Sequence, residues 1–297
     1  MANPAIADPE SGLSAAQLAA RHGLSVAGAR PSLPAYTRQL WAYRHFIAAY
    51  ANARLVASFS KARLGQLWQV LTPLTNAAVY YLIFGLVMGT SRGMDNFIAY
   101  LCAGLFIFTF TQTAVLQGTQ SISGNLGLIR ALHFPRACLP ISVTLTQLQQ
   151  LIASMAVLAG IVLVTGEPLT WEWLLVVPAL LLQSVFNVGL TLIMARLGSK
   201  LSDLKQLTPF IMRTWMYASA VIYSVTLIDR LPQLAAELLR FNPLLIYIEL
   251  VRDALVASAP LSSSAPRLWL LGTGWALLFG IGGYIYFWRG EKEYGRG

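Results

Sequence analysis

The residue types that perform most catalysis are scarce in this sequence and are not spaced for it. The three histidines, His22, His45 and His133, stand far apart, and no HExxH, GxSxG or GxxxxGK[ST] pattern occurs. The two cysteines, at positions 102 and 138, form no metal-binding or redox spacing. The sequence therefore predicts no catalytic residues and no metal or cofactor bound by this chain.

Polar side chains are nevertheless present inside the long apolar runs. Arg213 is the one ionisable residue in these runs, which argues against a proton-driven carrier, whereas sodium coupling stays open because sodium sites can use backbone carbonyls. Amides in an apolar medium need hydrogen-bond partners, so they either bond across helices or line a wet path, and both readings stay open. The amides are Gln112, Gln117, Gln120, Gln147, Gln149 and Gln150.

The composition identifies the class of protein that must position these residues. Of 297 residues, 56% are hydrophobic and 11% are charged, and the mean hydropathy is +0.60. Soluble domains average about 25% charged residues, so a soluble enzyme, a disordered chain and a secreted disulfide scaffold are excluded. The net charge of +9 is explained by basic residues retained on the cytoplasmic side of a membrane, and no nucleic-acid partner is predicted.

Six apolar segments are long enough to cross a ~30 Å hydrocarbon layer, which predicts an all-α protein with six transmembrane helices. With the N-terminus inside, 16 of the 21 lysines and arginines fall in or beside cytoplasmic segments, so both termini are predicted to be cytoplasmic. The predicted spans lie within 69–91, 96–129, 137–166, 173–195, 206–228 and 268–288.

Four regions organise the predicted chain. Residues 1–35 lack the apolar core of a signal peptide and form a flexible cytoplasmic N-terminus, while 289–297 form a cytoplasmic tail around the six-span domain 69–288. Residues 36–68 contain an amphipathic helix and the approach to the first span. That helix lies on the inner membrane surface or packs as an ordinary helix. Its apolar positions are Leu40, Tyr43, Ile47, Tyr50 or Ala51, Leu55 and Phe59.

Two connecting segments have their own local pattern. Between spans five and six, the outer hairpin (229–257) reads as two short helices about Asn242-Pro243, too short to cross and typical of a re-entrant hairpin. In the coupling segment (122–138), Leu126, Ile129 or Arg130, and His133 share one face of a short helix that Pro135 ends. Such a helix either docks in a groove of a cytoplasmic partner or is a plain connector.

Several runs resemble a known family, the membrane subunits of ABC-2 type exporters, in the branch that exports lipid-linked polysaccharides and teichoic acids. The runs are Lys61–Leu74, Asn125–Pro140 with Phe134-Pro135-Arg136, Ala195–Pro209, and the outer hairpin with Asn242-Pro243-Leu244 and a Glu249/Arg252 pair. The resemblance implies a half-transporter: two copies pair with two copies of a cytoplasmic ATPase, which holds ATP and Mg²⁺. It covers residues 36–297.

The resemblance also implies roles for particular residues. The coupling segment becomes the ATPase contact, the pore lies between two copies along the first, second and fifth spans, and the outer hairpin becomes a gate. The coupling residues are Asn125, Leu126, Ile129, Arg130, His133, Phe134 and Pro135. Candidates for a glycan path are Tyr80, Phe84, Gln112, Trp215 and Tyr223, and the gate residues are Asn242, Pro243, Glu249 and Arg252.

The predicted function is that of a permease in the cytoplasmic membrane of a bacterium, exporting a lipid-linked envelope glycan. Frequent Ala and Arg indicate a GC-rich source, which favours a galactan- or teichoic-acid-like polymer over an O-antigen-like one. An exporter of small hydrophobic compounds or lipids is the alternative. A membrane-embedded lipid-sugar enzyme is disfavoured because the inner loops offer only Asp203 as an acid.

Overall fold

The structure is a computed structural model that describes residues 31–60, 64–87, 89, 96–257 and 259–294. Every regular element in these residues is a helix, which confirms the all-α prediction. The predicted N-terminal segment 1–35 falls outside the described residues except at its last five positions. The helices are α1 (Leu33–Ala42), α2 (Arg44–Phe59), α3 (Trp68–Tyr80, continued by a π-helical turn to Val87), α4 (Phe97–Thr119), α5 (Leu126–Ala131), α6 (Cys138–Val164), α7 (Val176–Lys200), α8 (Leu204–Ala218), α9 (Gln233–Arg240), α10 (Pro243–Leu255) and α11 (Ala265–Arg289).

Five helical segments of the described chain are long and apolar enough to cross a membrane: Val70–Val87, Phe97–Thr119, Cys138–Val164, Trp171–Lys200 and Ala265–Arg289. The segment predicted as the fifth span is not one helix, because α8 ends at Ala218 and Ala220 adopts a φ of 46°. A helix of 15 residues rises about 22 Å, less than the ~30 Å of the hydrocarbon layer. Six spans are therefore not confirmed, and crossing by this segment stays a prediction.

The ends of the helices are sorted into two groups, as alternating spans require. One group, called the inner end, joins α1 and the coupling segment to the residues after α11 through Tyr36, Arg136 and Glu291. The other, called the outer end, joins the start of α4 to the loop after α6, where Asn96 Nδ2 donates to Glu167 Oε1 at 3.1 Å. That the inner end faces the cytoplasm stays a prediction from the positive-inside rule.

Helix α4 forms the centre of the bundle and α3 lies at its periphery. Within the most apolar window of each span, 78% of the α4 residues are buried inside the protein, against 11% for α3. Helix α4 packs against α6, α7 and α10, whereas α3 presents most of its surface outward. An apolar helix this exposed needs lipid or a second protein surface to cover it.

Helices α7 and α11 form the closest helix pair of the bundle. Gly189 and Gly283 face each other, and a Cβ at either position would collide with the backbone of the other helix. Small residues let two backbones approach closely, which increases van der Waals contact where hydrophobic burial is weak. This pair fixes the last span against the core.

The predicted amphipathic helix forms as two helices with a break at Tyr43. Of its predicted apolar positions, Ile47 and Ala51 are buried, Tyr43 is exposed, and the others are half-buried: Leu40, Tyr50, Leu55 and Phe59. The buried side contacts protein, because Ser142 Oγ and Thr146 Oγ1 of α6 donate to the carbonyls of Ile47 and Ala51 at 3.2 Å. A contact of the remaining surface with the inner membrane face stays a prediction.

Candidate functional site

The coupling segment contains a shorter helix than the sequence predicted. Helix α5 spans Leu126–Ala131, preceded by one 3₁₀ turn, and the backbone is extended at Leu132. His133 therefore lies beyond the helix, and the predicted shared face of Leu126, Ile129 or Arg130, and His133 is wrong. Within α5, Ile129 is buried, Leu126 is half-buried and Arg130 is exposed.

Helix α5 ends at Ala131, and the residues on either side of it contact α2. Tyr50 Oη donates to Asn125 Oδ1 at 3.0 Å, and Tyr43 Oη donates to the carbonyl of His133 at 3.1 Å. The ring of Phe134 lies 5.3 Å from the ring of Phe46. Asn125 and Phe134 thus face the protein, and Pro135 is buried. The exposed positions of the coupling segment are Ser123, Gly124, Gly127, Arg130, Ala131, Leu132 and His133.

A buried carboxylate joins three distant segments in what we call the inner junction: Tyr36, Arg136, Ala137 and Glu291. Tyr36 Oη donates to Glu291 Oε2 at 2.8 Å and accepts from the amide of Ala137 at 3.2 Å. Glu291 Oε1 accepts from the backbone amide and the guanidinium of Arg136 at 3.0 and 3.4 Å. Burial raises the pKa of Glu291, while these donors oppose that shift.

The segment after α11 also contacts the inner end of α7. Glu293 Oε2 lies 2.7 Å from Lys200 Nζ, and the tail residue Tyr294 is buried with its ring stacked on Phe287. The predicted cytoplasmic tail is therefore folded onto the bundle through Tyr294. It links the coupling segment with the last turn of a core helix.

The outer gate residues lie inside the fold. Arg252 is fully buried and donates to the carbonyls of Tyr100, Ala220 and Val221, each at 3.0 Å. Its guanidinium carbon lies 3.4 Å from the centroid of the Tyr100 ring. Gly104 has no side chain where Arg252 Nη2 passes, and a Cβ there would collide with it.

The predicted Glu249/Arg252 pair is not an ion pair in the structure. Glu249 accepts from the backbone amide and the hydroxyl of Ser262 at 2.9 and 2.6 Å. The two side chains are one helical turn apart on α10, yet each is satisfied by a different segment, since Arg252 bonds to carbonyls of α4 and of the break after α8. Their roles in a gate stay a prediction.

Asn242 determines how α8 ends. Its Oδ1 accepts from Trp215 Nε1 at 2.8 Å and from the amide of Leu244 at 3.1 Å, which caps α10, whose first residue is Pro243. Its Nδ2 donates to the carbonyl of Ala218 at 3.0 Å and to Ser219 Oγ at 2.9 Å. These bonds replace the helical bonds that α8 would make if it continued.

Two of the five glycan-path candidates line a common cavity. Tyr80 and Gln112 border a space of about 380 Å³ between α3, α4, α6 and α8. The ring of Phe84 stacks on that of Tyr80, with 6.0 Å between the ring centroids, and Phe84 does not border this space. Trp215 is engaged by Asn242, and Tyr223 Oη donates to the carbonyl of Tyr217 at 2.8 Å. The structure therefore does not bring the five together.

The amides predicted to be buried differ in their surroundings. Of the six, Gln147 is buried, Gln120 is exposed and the others are half-buried. Gln117 accepts from Arg54 Nη2 at 3.2 Å. A buried amide that the sequence reasoning missed is Gln183, whose Nε2 donates to Thr111 Oγ1 at 3.1 Å. It occurs four residues before Asn187, a helical spacing that signals a polar stripe.

The family described as ABC-2 type transporter matches residues 47–256, from α2 to the end of α10. This chain belongs to the ABC-2 type transporter family. The prediction of a multi-pass membrane transporter is confirmed, and the permease's relatives are transport subunits, which supports a transport role.

The relatives of the permease carry polysaccharide-export names. It is 29% identical over 192 residues to the O-antigen export system permease protein RfbA of Myxococcus xanthus, covering 65% of this chain and 73% of that protein. It is 25% identical over 208 residues to RfbA of Klebsiella pneumoniae, covering 70% and 78%. It is 24% identical over 208 residues to the polysialic acid transport protein KpsM of Escherichia coli, covering 67% and 76%.

Helix α8 gives the permease an exposed face of mixed chemistry that the path candidates missed. Residues 206, 210, 213, 214 and 217 recur at helical spacing, and all five side chains are exposed. They are Gln206, Phe210, Arg213, Thr214 and Tyr217. Trp215, chosen from the sequence for its type, lies on the opposite side of the same helix. The spacing of Arg213 with Phe210 and Tyr217 was the signal available in the sequence.

Proposed function

We propose that this ABC-2 permease is the membrane subunit of an ATP-driven exporter that carries a lipid-linked cell-envelope polysaccharide across the cytoplasmic membrane. Two copies of the chain form the path, and two copies of a cytoplasmic ATPase bind ATP and Mg²⁺ and drive the movement. The names of the relatives support a polysaccharide cargo, because proteins named for O-antigen export and for polysialic acid transport align with about two thirds of this chain.

The exposed face of α8 is the observation that carries the proposal. Arg213 makes no ion pair or hydrogen bond with any residue in the described part of the chain. A guanidinium facing the hydrocarbon layer is costly, so intramembrane arginines face a protein partner or water. Thr214 and Gln206 on the same face favour water. In the proposal this face, at the inner part of the predicted fifth span, lines a wet path, and a second copy closes it on the other side.

The chemistry of this face suits a glycan better than an apolar cargo. Phe210 and Tyr217 are 67% and 55% exposed, and aromatic rings offer flat apolar faces to sugar rings. Between them Arg213 offers hydrogen-bond donors to hydroxyl or phosphate oxygens, and the Thr214 hydroxyl, which donates to the carbonyl of Phe210, can accept from a sugar hydroxyl. A pore for small hydrophobic compounds would gain nothing from a fixed positive charge. The galactan- or teichoic-acid-like identity of the polymer is part of the proposal.

The ATPase docks on the exposed side of the coupling segment in this proposal. Leu132 is 51% exposed, and Arg130 and His133 beside it are exposed too. Protein interfaces combine an apolar centre with a polar rim, and Leu132 with Arg130 and His133 offers both. Leu132→Asp should uncouple transport while leaving the fold intact. Phe134→Asp would instead break the contact with Phe46 and is not a clean test.

Export of the glycan tests the proposed function directly. In cells that lack the native gene, the full chain should restore polymer on the surface, and it should purify with a stoichiometric ATPase. Arg213→Leu should insert normally but restore much less polymer. If α8 faced lipid, Arg213→Leu would be neutral or stabilising, and export would continue. Purification of the chain without any ATPase would contradict the proposal that a cytoplasmic ATPase drives export.

Cross-linking tests whether two copies share the path. Cys102 and Cys138 are buried, so a single added cysteine is the only accessible thiol among the described residues. Tyr217→Cys should form a disulfide-linked dimer in membranes. Leu277→Cys, equally exposed on α11, is the matched control and should stay monomeric. Disulfide-linked dimers from Leu277→Cys but not from Tyr217→Cys would place the interface on α11 and contradict a path shared along α8.

A further inference from the structure

A cavity of about 340 Å³ lies at the inner end of the bundle, where three separate segments of the chain meet. We call it the inner cavity. Its walls come from α1 with the break that follows, from the end of the coupling segment and from the residues after α11. The residues on its walls with polar side chains include Gln39, Tyr43, His133, Arg136, Glu291 and Lys292. Because these segments are distant in the sequence, no local pattern indicates the cavity.

The basic side chains of the inner cavity have donors that no described protein group uses. Lys292 is exposed and makes no hydrogen bond or ion pair with any residue that the structure describes. The guanidinium of Arg136 is 33% exposed, and in the described chain it makes one contact, at 3.4 Å to Glu291, out of five possible N–H donors. His133 is exposed and takes part through its backbone carbonyl. Accessible cationic donors around one space are what an anion site requires.

The acidic residues near these cations are already satisfied. Glu291 borders the cavity, but its side chain is 5% exposed and its two oxygens accept three hydrogen bonds. Glu293, the neighbour of Lys292 in the chain, lies 2.7 Å from Lys200 instead. An entering anion therefore meets the more exposed Arg136 and Lys292. Among the described wall residues, two fixed cations stand against one carboxylate, so the cavity attracts negative charge.

The position of the inner cavity indicates which anion is nearest. Helix α11 is the last apolar span and ends at Arg289, and Lys292 follows three residues later. Trp288, in the last turn of α11, donates from Nε1 to the carbonyl of Pro31 on the cavity wall at 3.0 Å. Tryptophan is enriched at the headgroup level of membranes, and basic pockets beside membrane spans bind anionic headgroups. The cavity thus lies where lipid phosphates lie.

We infer that the inner cavity binds the headgroup phosphate of an anionic phospholipid in the adjoining leaflet, with Arg136 and Lys292 donating to the phosphate oxygens. A zwitterionic headgroup fits less well, because its ammonium or choline group is repelled by the same two cations. The bound lipid connects α1, the coupling segment and the residues after α11, so it stabilises the inner junction. The inference does not rest on the cargo of the proposed function.

Lys292→Gln separates lipid binding from a structural role. Lys292 bonds to no described residue, so the Tm of this variant in neutral lipid should equal that of the native chain. Its affinity for phosphatidylglycerol should fall about fivefold, the contribution of one basic residue near a membrane surface. Lys292→Arg keeps the charge and should bind like the native chain.

Lys205→Gln is the matched control for the charge alone. Lys205 is also exposed, stands at the inner end in the first turn of α8, and makes no side-chain bond with a described residue. It does not border the inner cavity. This variant should therefore retain phosphatidylglycerol as the native chain does.

Native mass spectrometry of the full chain, released from nanodiscs with equal amounts of phosphatidylglycerol and phosphatidylethanolamine, measures which lipid is retained. We expect preferential retention of phosphatidylglycerol by the native chain, and less of it by Lys292→Gln. Thermal unfolding in phosphatidylcholine nanodiscs is the second measurement. Added phosphatidylglycerol should raise the Tm of the native chain more than that of Lys292→Gln, and inorganic phosphate should raise neither.

Equal retention of the two lipids by the native chain would overturn the inference, as would equal retention of phosphatidylglycerol by Lys292→Gln and the native chain. A Tm that rises with inorganic phosphate in the native chain but not in Lys292→Gln would assign the cavity to a free anion instead of a lipid. If Lys292→Gln retained phosphatidylglycerol but lost its ATPase on purification, the cavity would belong to a carboxylate of the ATPase.

Discussion

The inner junction and the outer hairpin both bury a charged side chain, and they satisfy it in opposite ways. Glu291 accepts from a tyrosine, a backbone amide and an arginine that belong to two other segments of the chain. Arg252 donates to three backbone carbonyls and has no acidic partner within 4.0 Å in the described chain. Both join separate segments, but Glu291 does so mainly as an acceptor for side-chain and amide donors, whereas the Arg252 guanidinium bonds only to backbone carbonyls of α4 and of the break after α8.

The difference indicates which end can rearrange at modest cost and which end keeps its shape. Arg136, the ionic partner of Glu291, is 33% exposed, so water reaches the inner junction. Arg252 is enclosed on all sides by α4, α10 and the break after α8. A junction made of side chains can be released and remade at modest cost. A guanidinium enclosed by backbone carbonyls cannot leave without exposing three unpaired acceptors.

The largest effect is expected from Arg252. Arg252→Met should destabilise the protein by roughly 3–5 kcal/mol, because three buried carbonyls lose a charged donor. Thermal unfolding in nanodiscs, followed by tryptophan fluorescence, measures it. Gly104→Ala should act in the same direction, since its methyl group occupies the path of Nη2. A Tm within two degrees or so of native for both variants would contradict the central role of this arginine.

Glu291→Ala should have the next largest effect and a different signature. Loss of a buried charge-assisted acceptor costs about 2–3 kcal/mol. Hydrogen exchange should rise in Leu33–Ala42, which loses the Tyr36 bond, and stay unchanged in Pro243–Leu255. Faster exchange at both ends together would show that the two regions are one cooperative unit and that the comparison fails.

The pH dependence of the inner junction follows from the raised pKa of Glu291. A carboxyl whose pKa is higher in the folded than in the unfolded state contributes stability below its unfolded value of 4.5, and that contribution is lost as the pH rises through the folded value. The native Tm should therefore fall as the pH rises above 4.5. Glu291→Gln should make the Tm less dependent on pH, because glutamine does not titrate. The bond between the Arg136 guanidinium and the side chain at position 291 should be weaker in that variant. A steeper fall of Tm with pH in Glu291→Gln than in the native protein would contradict the attribution of this pH dependence to Glu291.

The smallest effect sharpens the coupling assignment. Tyr50→Phe removes the bond to Asn125 and should cost about 0.5–1.5 kcal/mol. The reconstituted transporter should keep its ATPase rate and export less polymer per ATP, because the coupling segment is less firmly joined to α2. Tyr43→Phe, which loses a weaker bond to the same segment, is the internal comparison. If Tyr50→Phe and Tyr43→Phe both export as much polymer per ATP as the native transporter, the contacts of the coupling segment with α2 play no part in coupling.

The sequence by itself determined the class of protein, the positions of the apolar runs and the sorting of basic residues. Burial of 20-residue apolar segments and retention of Arg and Lys at one side are local, additive properties, and five of the six predicted spans followed from the first of them. The Asn242-Pro243 break was readable too, because proline starts a helix and asparagine caps it.

Only the tertiary structure decided where the polar groups go. The end of α8 at Ala218 depends on Asn242 and Arg252, which lie 24 and 34 residues away in the chain. Trp215 was a good path residue by type and is held by Asn242 instead, while Gln147 reads like its neighbour Gln149 in the sequence. A side chain's type fixes which bonds it can make. Its orientation and its hydrogen-bond partner are determined only when helices that are distant in the sequence pack together.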